Sequence, residues 1–172
     1  ATIDLSAGNH TVKFMSYAFE SRKTITTLKL GENANYDFGY GSFRYCKIAE
    51  LNLPATSTYI FGGESFRETA ITTLKLPDGI DLTFGTNAFF KCTALTSVEF
   101  GENATYVIGS GCFRYCPIPK VVLAPNSTYT IGSQAFINTE LTELDMSAGN
   151  MTVMFENSAF NCWLDSKLYC NL

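Results

Sequence analysis

Apolar residues recur along this chain at a fixed spacing, and a phenylalanine behind a small residue closes each period. The pairs are Ala18-Phe19, Ser42-Phe43, Ser65-Phe66, Ala88-Phe89, Cys112-Phe113, Ala135-Phe136 and Ala159-Phe160. Successive phenylalanines are 24, 23, 23, 24, 23 and 24 residues apart. Registered repeats of this length mark a solenoid, in which each unit buries its apolar face only against its neighbours.

Within a period the apolar positions form two groups. The first reads apolar-x-x-apolar-x-apolar, as in Ile25, Leu28, Leu30 and in Ile118, Val121, Leu123. The second lies seven and five residues before the phenylalanine, as in Tyr36 and Phe38, Tyr59 and Phe61, Leu82 and Phe84, and Tyr106 and Ile108. A spacing of two puts both residues on one face of a strand. Each repeat is therefore predicted to hold two short strands. Turn formers separate them, as in Gly31-Glu-Asn, Pro77-Asp-Gly and Ala124-Pro-Asn, through fixed or positive φ and local hydrogen bonds. A glycine follows the second strand in five repeats (Gly39, Gly62, Gly85, Gly109, Gly132), which suggests a bend needing backbone freedom. Met15 and Glu156 stand there in the first and last repeats, where different bends are expected. No ten-residue stretch has a helical apolar period, so almost no α-helix is expected. The predicted architecture is a mainly-β solenoid of about seven 23–24-residue repeats, one unit over residues 1–172. The pattern degrades around Trp163 and Leu164, and Leu168 with Cys170 supplies a partial last set.

A longer period overlies the short one. Gly31-Glu-Asn-Ala and Phe43-Arg-Tyr-Cys return 70 residues later as Gly101-Glu-Asn-Ala and Phe113-Arg-Tyr-Cys. Asp4-Leu-Ser-Ala-Gly-Asn9 returns as Asp145-Met-Ser-Ala-Gly-Asn150. Duplication of three-repeat blocks accounts for both.

Composition supports a packed chain: 46% of the 172 residues are hydrophobic and 16% charged, which argues against disorder. A net charge of −4 gives nucleic-acid binding no electrostatic support. The apolar runs are far too short for a membrane span. The opening Ala1-Thr-Ile-Asp-Leu5 has neither the basic nor the apolar region of a signal peptide. It is already in repeat register, so a fragment of a longer repeat domain is expected.

The apolar strand, turn, Ile-Gly bend and Ala-Phe pair resemble the BspA-like leucine-rich repeat. Phe89-Phe-Lys-Cys-Thr-Ala-Leu-Thr-Ser-Val-Glu-Phe100 and Tyr129-Thr-Ile-Gly-Ser-Gln-Ala-Phe136 carry the likeness most clearly. The resemblance covers essentially the whole chain. It implies a curved right-handed solenoid with a parallel sheet on its concave face. Members are typically cell-surface or secreted proteins of gut and oral bacteria and of some mucosal protists, and adhesion is the usual proposed role.

Two surfaces are then candidates for binding. The outward positions of the concave sheet include Lys29, Glu50, Asn52, Lys75, Glu99, Lys120, Glu143 and Asp145. Their mixed signs suit a protein partner better than a polyanion. The ridge after the phenylalanine holds Arg44, Tyr45, Arg67, Phe90, Arg114 and Tyr115. Arg and Tyr are enriched in binding hot spots, and Tyr also stacks on sugar rings; the alternative is packing of their stems across repeats. Cys46, Cys92 and Cys116 lie three residues after a phenylalanine, where Thr69 and Thr139 stand in other repeats. That favours small inward side chains over disulfides or a metal site. His10 reads as a solvated turn residue, and carboxylates such as Glu143 and Asp145, which glycoside hydrolysis would need in pairs, read more simply as lining the concave face. The Asn9, Asn103, Asn126 and Asn150 sequons are a cheap match in so Asn- and Thr-rich a chain. The expected function is a non-catalytic cell-surface or secreted protein that binds a host or microbial surface protein. It would need no cofactor, bind no nucleic acid and be monomeric. A carbohydrate-binding module, or a spacer displaying other domains, is the alternative.

Overall fold

A computed structural model describes residues 1–160. The partial set at Leu168 and Cys170 and the break at Trp163 and Leu164 lie outside the described residues. The two strands expected in each repeat form two parallel seven-stranded sheets. The first sheet contains β1 (Thr2–Leu5), β3 (Thr27–Leu30), β5 (Glu50–Leu51), β7 (Thr73–Lys75), β9 (Ser97–Glu99), β11 (Lys120–Val122) and β13 (Glu143–Asp145). The second contains β2 (Thr11–Phe14), β4 (Asn35–Phe38), β6 (Thr58–Phe61), β8 (Leu82–Phe84), β10 (Thr105–Ile108), β12 (Thr128–Ile131) and β14 (Thr152–Phe155). Among the described residues there is no helix.

The core is a set of ladders in which each residue meets its counterpart one repeat away. The closing phenylalanines stack at ring-centroid distances of 5.3, 5.4, 5.6, 5.6, 5.2 and 5.1 Å from Phe19 to Phe160. Each such pair adds about 0.5–1.5 kcal/mol beyond area burial. The second strands add another ladder, in which a tyrosine hydroxyl secures the turn five residues earlier. Gly31, Gly101 and Ala124 donate their N–H groups to the hydroxyls of Tyr36, Tyr106 and Tyr129 at 2.7, 2.9 and 2.8 Å. Where the turn residue is Pro54, with no N–H to offer, the Tyr59 hydroxyl instead donates to its carbonyl at 2.8 Å. Where it is Pro77, the facing residue is the apolar Leu82. Burial raises the pKa of Tyr59, Tyr106 and Tyr129, so these phenols stay protonated and available as donors.

The recurrent glycine has a different cause from the one its sequence position suggests. Gly39, Gly62, Gly85, Gly109 and Gly132 all lie outside the left-handed region. A Cβ at each would instead sit 2.3–2.8 Å from backbone of the preceding repeat. The close approach is a hydrogen bond: the Gly39, Gly62, Gly85, Gly109 and Gly132 amides donate to carbonyls one repeat back at 2.7–2.9 Å. Met15, at this position in the first described repeat, is exposed. Glu156 makes the same backbone bond to the Ile131 carbonyl at 2.9 Å, and its carboxylate accepts from the Ser133 amide at 3.0 Å.

Left-handed backbone occurs two residues before and two after most closing phenylalanines, and most of these positions are not glycine. Tyr17, Glu64, Asn87 and Gln134 precede, while Tyr45, Glu68, Lys91 and Tyr115 follow, with φ of 54–65°. Around Phe19 the amides of Tyr17, Phe19 and Ser21 donate to the next repeat, and those of Ala18, Glu20 and Arg22 bond back within the turn. This alternation satisfies the backbone at the corner.

Candidate binding surface

The outward face of the first sheet carries the predicted residues on successive strands. Lys29, Glu50, Asn52, Lys75, Glu99 and Lys120 are exposed, while Glu143 and Asp145 are half-buried. Part of this charge is neutralised within the face. Lys29 lies 3.4 Å from Asp4, and Lys120 lies 2.7 Å from Glu143 and 3.7 Å from Asp145. Lys75 pairs in register with Glu99, and Glu50 with Thr27.

Glu143 and Asp145 share Lys120. Side-chain and then backbone hydrogen bonds from Ser147 hold the Asp145 carboxyl below the usual carboxylate range. A glycosidase acid needs the opposite shift. His10 contacts the Ala7 carbonyl through Nε2 in the first turn.

One rung of a regular backbone series is missing on this face. Before each first-sheet strand one amide donates to the repeat behind it: Thr26 to Ala1, Ala49 to Thr26, Thr72 to Ala49 and Thr96 to Thr72. The next position is Pro119, which has no N–H, so the rung to Thr96 is missing. The series resumes with Thr142 donating to Pro119 at 2.8 Å. Pairing between β9 and β11 is a single pair, Val122 opposite Glu99, as it is between β5 and β7, where Leu51 faces Leu74. A groove of about 620 Å³ opens here, lined by Thr96, Ser97, Glu99, Pro119, Lys120 and Val122 among others. Val122 is 43% exposed in it. Of the eight predicted face residues, the groove gathers Glu99 and Lys120. Val122 is an outward position of the same strand as Lys120, and Pro119 is not among the predicted residues; the Cys116-Pro-Ile-Pro-Lys120 run is the sequence signal that marks the break.

The ridge residues form a second row. Arg44 donates from Nε to Glu20 at 2.8 Å and from Nη1 to Glu64 at 2.6 Å. Its guanidinium lies over Tyr45 at 5.0 Å and Tyr17 at 5.3 Å. Hydrogen bonds to Glu20 and then Glu64 raise the Arg44 pKa further. Arg67 joins Glu64 at 3.2 Å and lies 4.7 Å from the Phe90 ring centre. Burial tends to raise the Glu64 pKa, but hydrogen bonds from Arg44 and Tyr40 and the charge of Arg67 hold it below its ordinary value. Arg114 and Tyr115 continue the row with a guanidinium-to-ring distance of 5.0 Å. The stems thus pack across repeats, and Arg44 and Arg67 are occupied by the chain's own carboxylates.

The cysteines also fall into line. Cys46, Cys92, Cys112 and Cys116 are buried free thiols. Cys46, Cys92 and Cys116 donate to the closing phenylalanine carbonyl of the preceding repeat at 3.0, 3.2 and 3.1 Å. Thr69 and Thr139 donate instead to the phenylalanine of their own repeat, at 2.9 and 2.8 Å. The position therefore selects a small donor. Burial raises the Cys46 and Cys112 thiols, which suppresses thiolate chemistry. Among the described residues no group of three or more His, Cys, Asp or Glu is arranged to hold a metal, and no helix is long and apolar enough to cross a membrane.

Neither the curated proteins nor the solved structures contain a match to this chain. The family model described as BspA type leucine rich repeat region matches six copies, over residues 2–67 and 60–170. Its span, together with the stacked parallel repeats, makes this chain a member of the BspA-type leucine-rich repeat family.

Proposed function

We propose that this repeat array is a non-catalytic protein-binding module of a cell-surface or secreted protein, and that it engages its partner through the outward face of the first sheet. The observation that carries this reading is the groove at the missing Pro119 rung. There an exposed aliphatic side chain, Val122, lies opposite a carboxylate, Glu99, and two residues along its strand from an ammonium, Lys120. An apolar centre with polar flanks is the anatomy of a protein interface, and the mixed charges on neighbouring strands favour orientation over bulk attraction. Adhesion to a host or microbial surface protein is the role this arrangement serves.

The test is binding of the immobilised chain to purified extracellular-matrix proteins, mucins and glycans, with Val122→Glu alongside. Val122 is exposed, so the substitution leaves the core intact. Saturable binding to a protein, weakened at least tenfold by Val122→Glu, is expected. Binding to glycans alone, or binding untouched by Val122→Glu, would move the site off this face.

A further inference from the structure

The duplicated Arg-Tyr motif appears in two electrostatic settings. At the first copy, Glu20 and Glu64 bracket Arg44 from the repeats on either side. Seventy residues on, the equivalent positions hold Phe90 and Gln134. Arg114 donates from Nη1 to Gln134 at 3.2 Å and from Nη2 to the Tyr115 hydroxyl at 3.3 Å. Its Nε–H is buried without an acceptor. Lys91 is exposed and places its ammonium 5.8 Å from the centres of both the Phe90 and Tyr115 rings. Among the described residues neither cation has a carboxylate within 4.0 Å.

We propose that Phe90, Lys91, Arg114 and Tyr115 form a second binding site, separate from the groove, that accepts a carboxylate side chain from an acidic peptide segment of a protein partner. The first copy shows the chemistry that satisfies this guanidinium: carboxylates arriving from both sides. The second copy has lost both but kept the cation and the aromatic ring beneath it. Phe90 and Tyr115 meet edge to face at 5.5 Å, and Tyr115 is 37% exposed. The rings offer apolar contact to the residue beside the incoming carboxylate, and Arg with Tyr is a frequent hot-spot composition. Two cations on a chain of net charge −4 are too few for a nucleic acid, which is held by many phosphate contacts.

The probe is a fluorescein-labelled dodecapeptide of alternating Glu and Leu, titrated by fluorescence anisotropy at low ionic strength, where exposed charges are least screened. Saturable binding is expected for the natural chain. Phe90→Glu with Gln134→Glu rebuilds the carboxylates of the first copy and should weaken binding at least tenfold. Arg114→Gln should do the same, and covers the case in which the double variant fails to fold. Glu20→Phe with Glu64→Gln should open the first copy and add a second equivalent of bound peptide. The proposal is overturned if the natural chain does not bind the peptide, or if Arg114→Gln binds it equally well. It is also overturned if Val122→Glu is the variant that loses it, or if a sulfated oligosaccharide binds at Arg114 in place of the peptide. Failure of the groove reading leaves these results unchanged, because Phe90, Lys91, Arg114, Tyr115 and Gln134 do not line the groove.

Discussion

Replacing Gly109 by alanine tests whether the repeat spacing is set by backbone contact. A Cβ there would lie 2.5 Å from the Phe84 oxygen, 2.7 Å from the Gly85 carbonyl carbon and 2.9 Å from the Gly85 oxygen. Ordinary carbon contacts are about 3.5–4.0 Å, so the repeats must separate by about 1 Å. All three atoms are backbone, and no flexible side chain can move aside. Separation stretches the 2.9 Å bond from the Gly109 amide to the Phe84 carbonyl. It also loosens the Phe89–Phe113 stack at 5.6 Å. Overpacking costs about 1–3 kcal/mol, and a weakened hydrogen bond about 0.5–1.5 kcal/mol. Restricting the unfolded chain returns about 0.4–1 kcal/mol. The net expectation is a loss of about 0.5–4 kcal/mol, centred at about 2 kcal/mol. Gly79→Ala is the control: its φ is +72° but nothing lies within 4 Å, so it incurs only left-handed strain of about 1 kcal/mol. Urea unfolding followed by circular dichroism measures both. If Gly109→Ala loses no more stability than Gly79→Ala, close approach is not why these positions hold glycine.

Three other substitutions probe the ladders. Phe89→Ala empties a fully buried site between Phe66 and Phe113 and should cost about 3–5 kcal/mol; Phe19→Ala, half-buried with a stacking partner on one side, should cost clearly less in the same urea assay. Tyr106→Phe leaves the Gly101 amide without its acceptor and should cost about 1–3 kcal/mol, with faster hydrogen exchange at Gly101 as the local sign. Glu64→Gln should lose about 1–2 kcal/mol at neutral pH through its bonds to Arg44 and Arg67. Because the folded Glu64 pKa is lowered from 4.5, its contribution is present above that value and disappears as pH falls through the folded one. The gap in urea midpoint between Glu64→Gln and the natural chain should therefore close in acid, and a constant gap would refute the ion-pair account.

Much of the candidate surface could be read before the fold was known, but not its organisation. Lys29 stands between buried Leu28 and Leu30, Lys75 between buried Leu74 and Leu76, and Lys120 beside buried Val121, so their outward direction follows from alternation. The ridge was identifiable because Arg-Tyr follows a closing phenylalanine twice. Occupancy was not legible. Arg44 meets Glu20 and Glu64, 24 and 20 residues away, and those partners emerge only once adjacent repeats are stacked in register. The absent counter-charge at Arg114 has the same origin: Phe90 and Gln134 are unremarkable in sequence until they occupy the places of Glu20 and Glu64.

The sequence by itself determined the period, the two strands per repeat and the phenylalanine core. Each follows from local alternation repeated with nearly identical neighbours, and a repeat can bury its apolar face only against its own copy. The tertiary structure decided what depends on distances between repeats. It tied the five central glycines to close backbone approach, turned Pro119 into a missing rung with a groove beside it, and separated a neutralised arginine from an unneutralised one. Hydrogen bonds, steric exclusion and ion pairing act over a few ångströms, while the residues that make them here lie about one repeat apart along the chain.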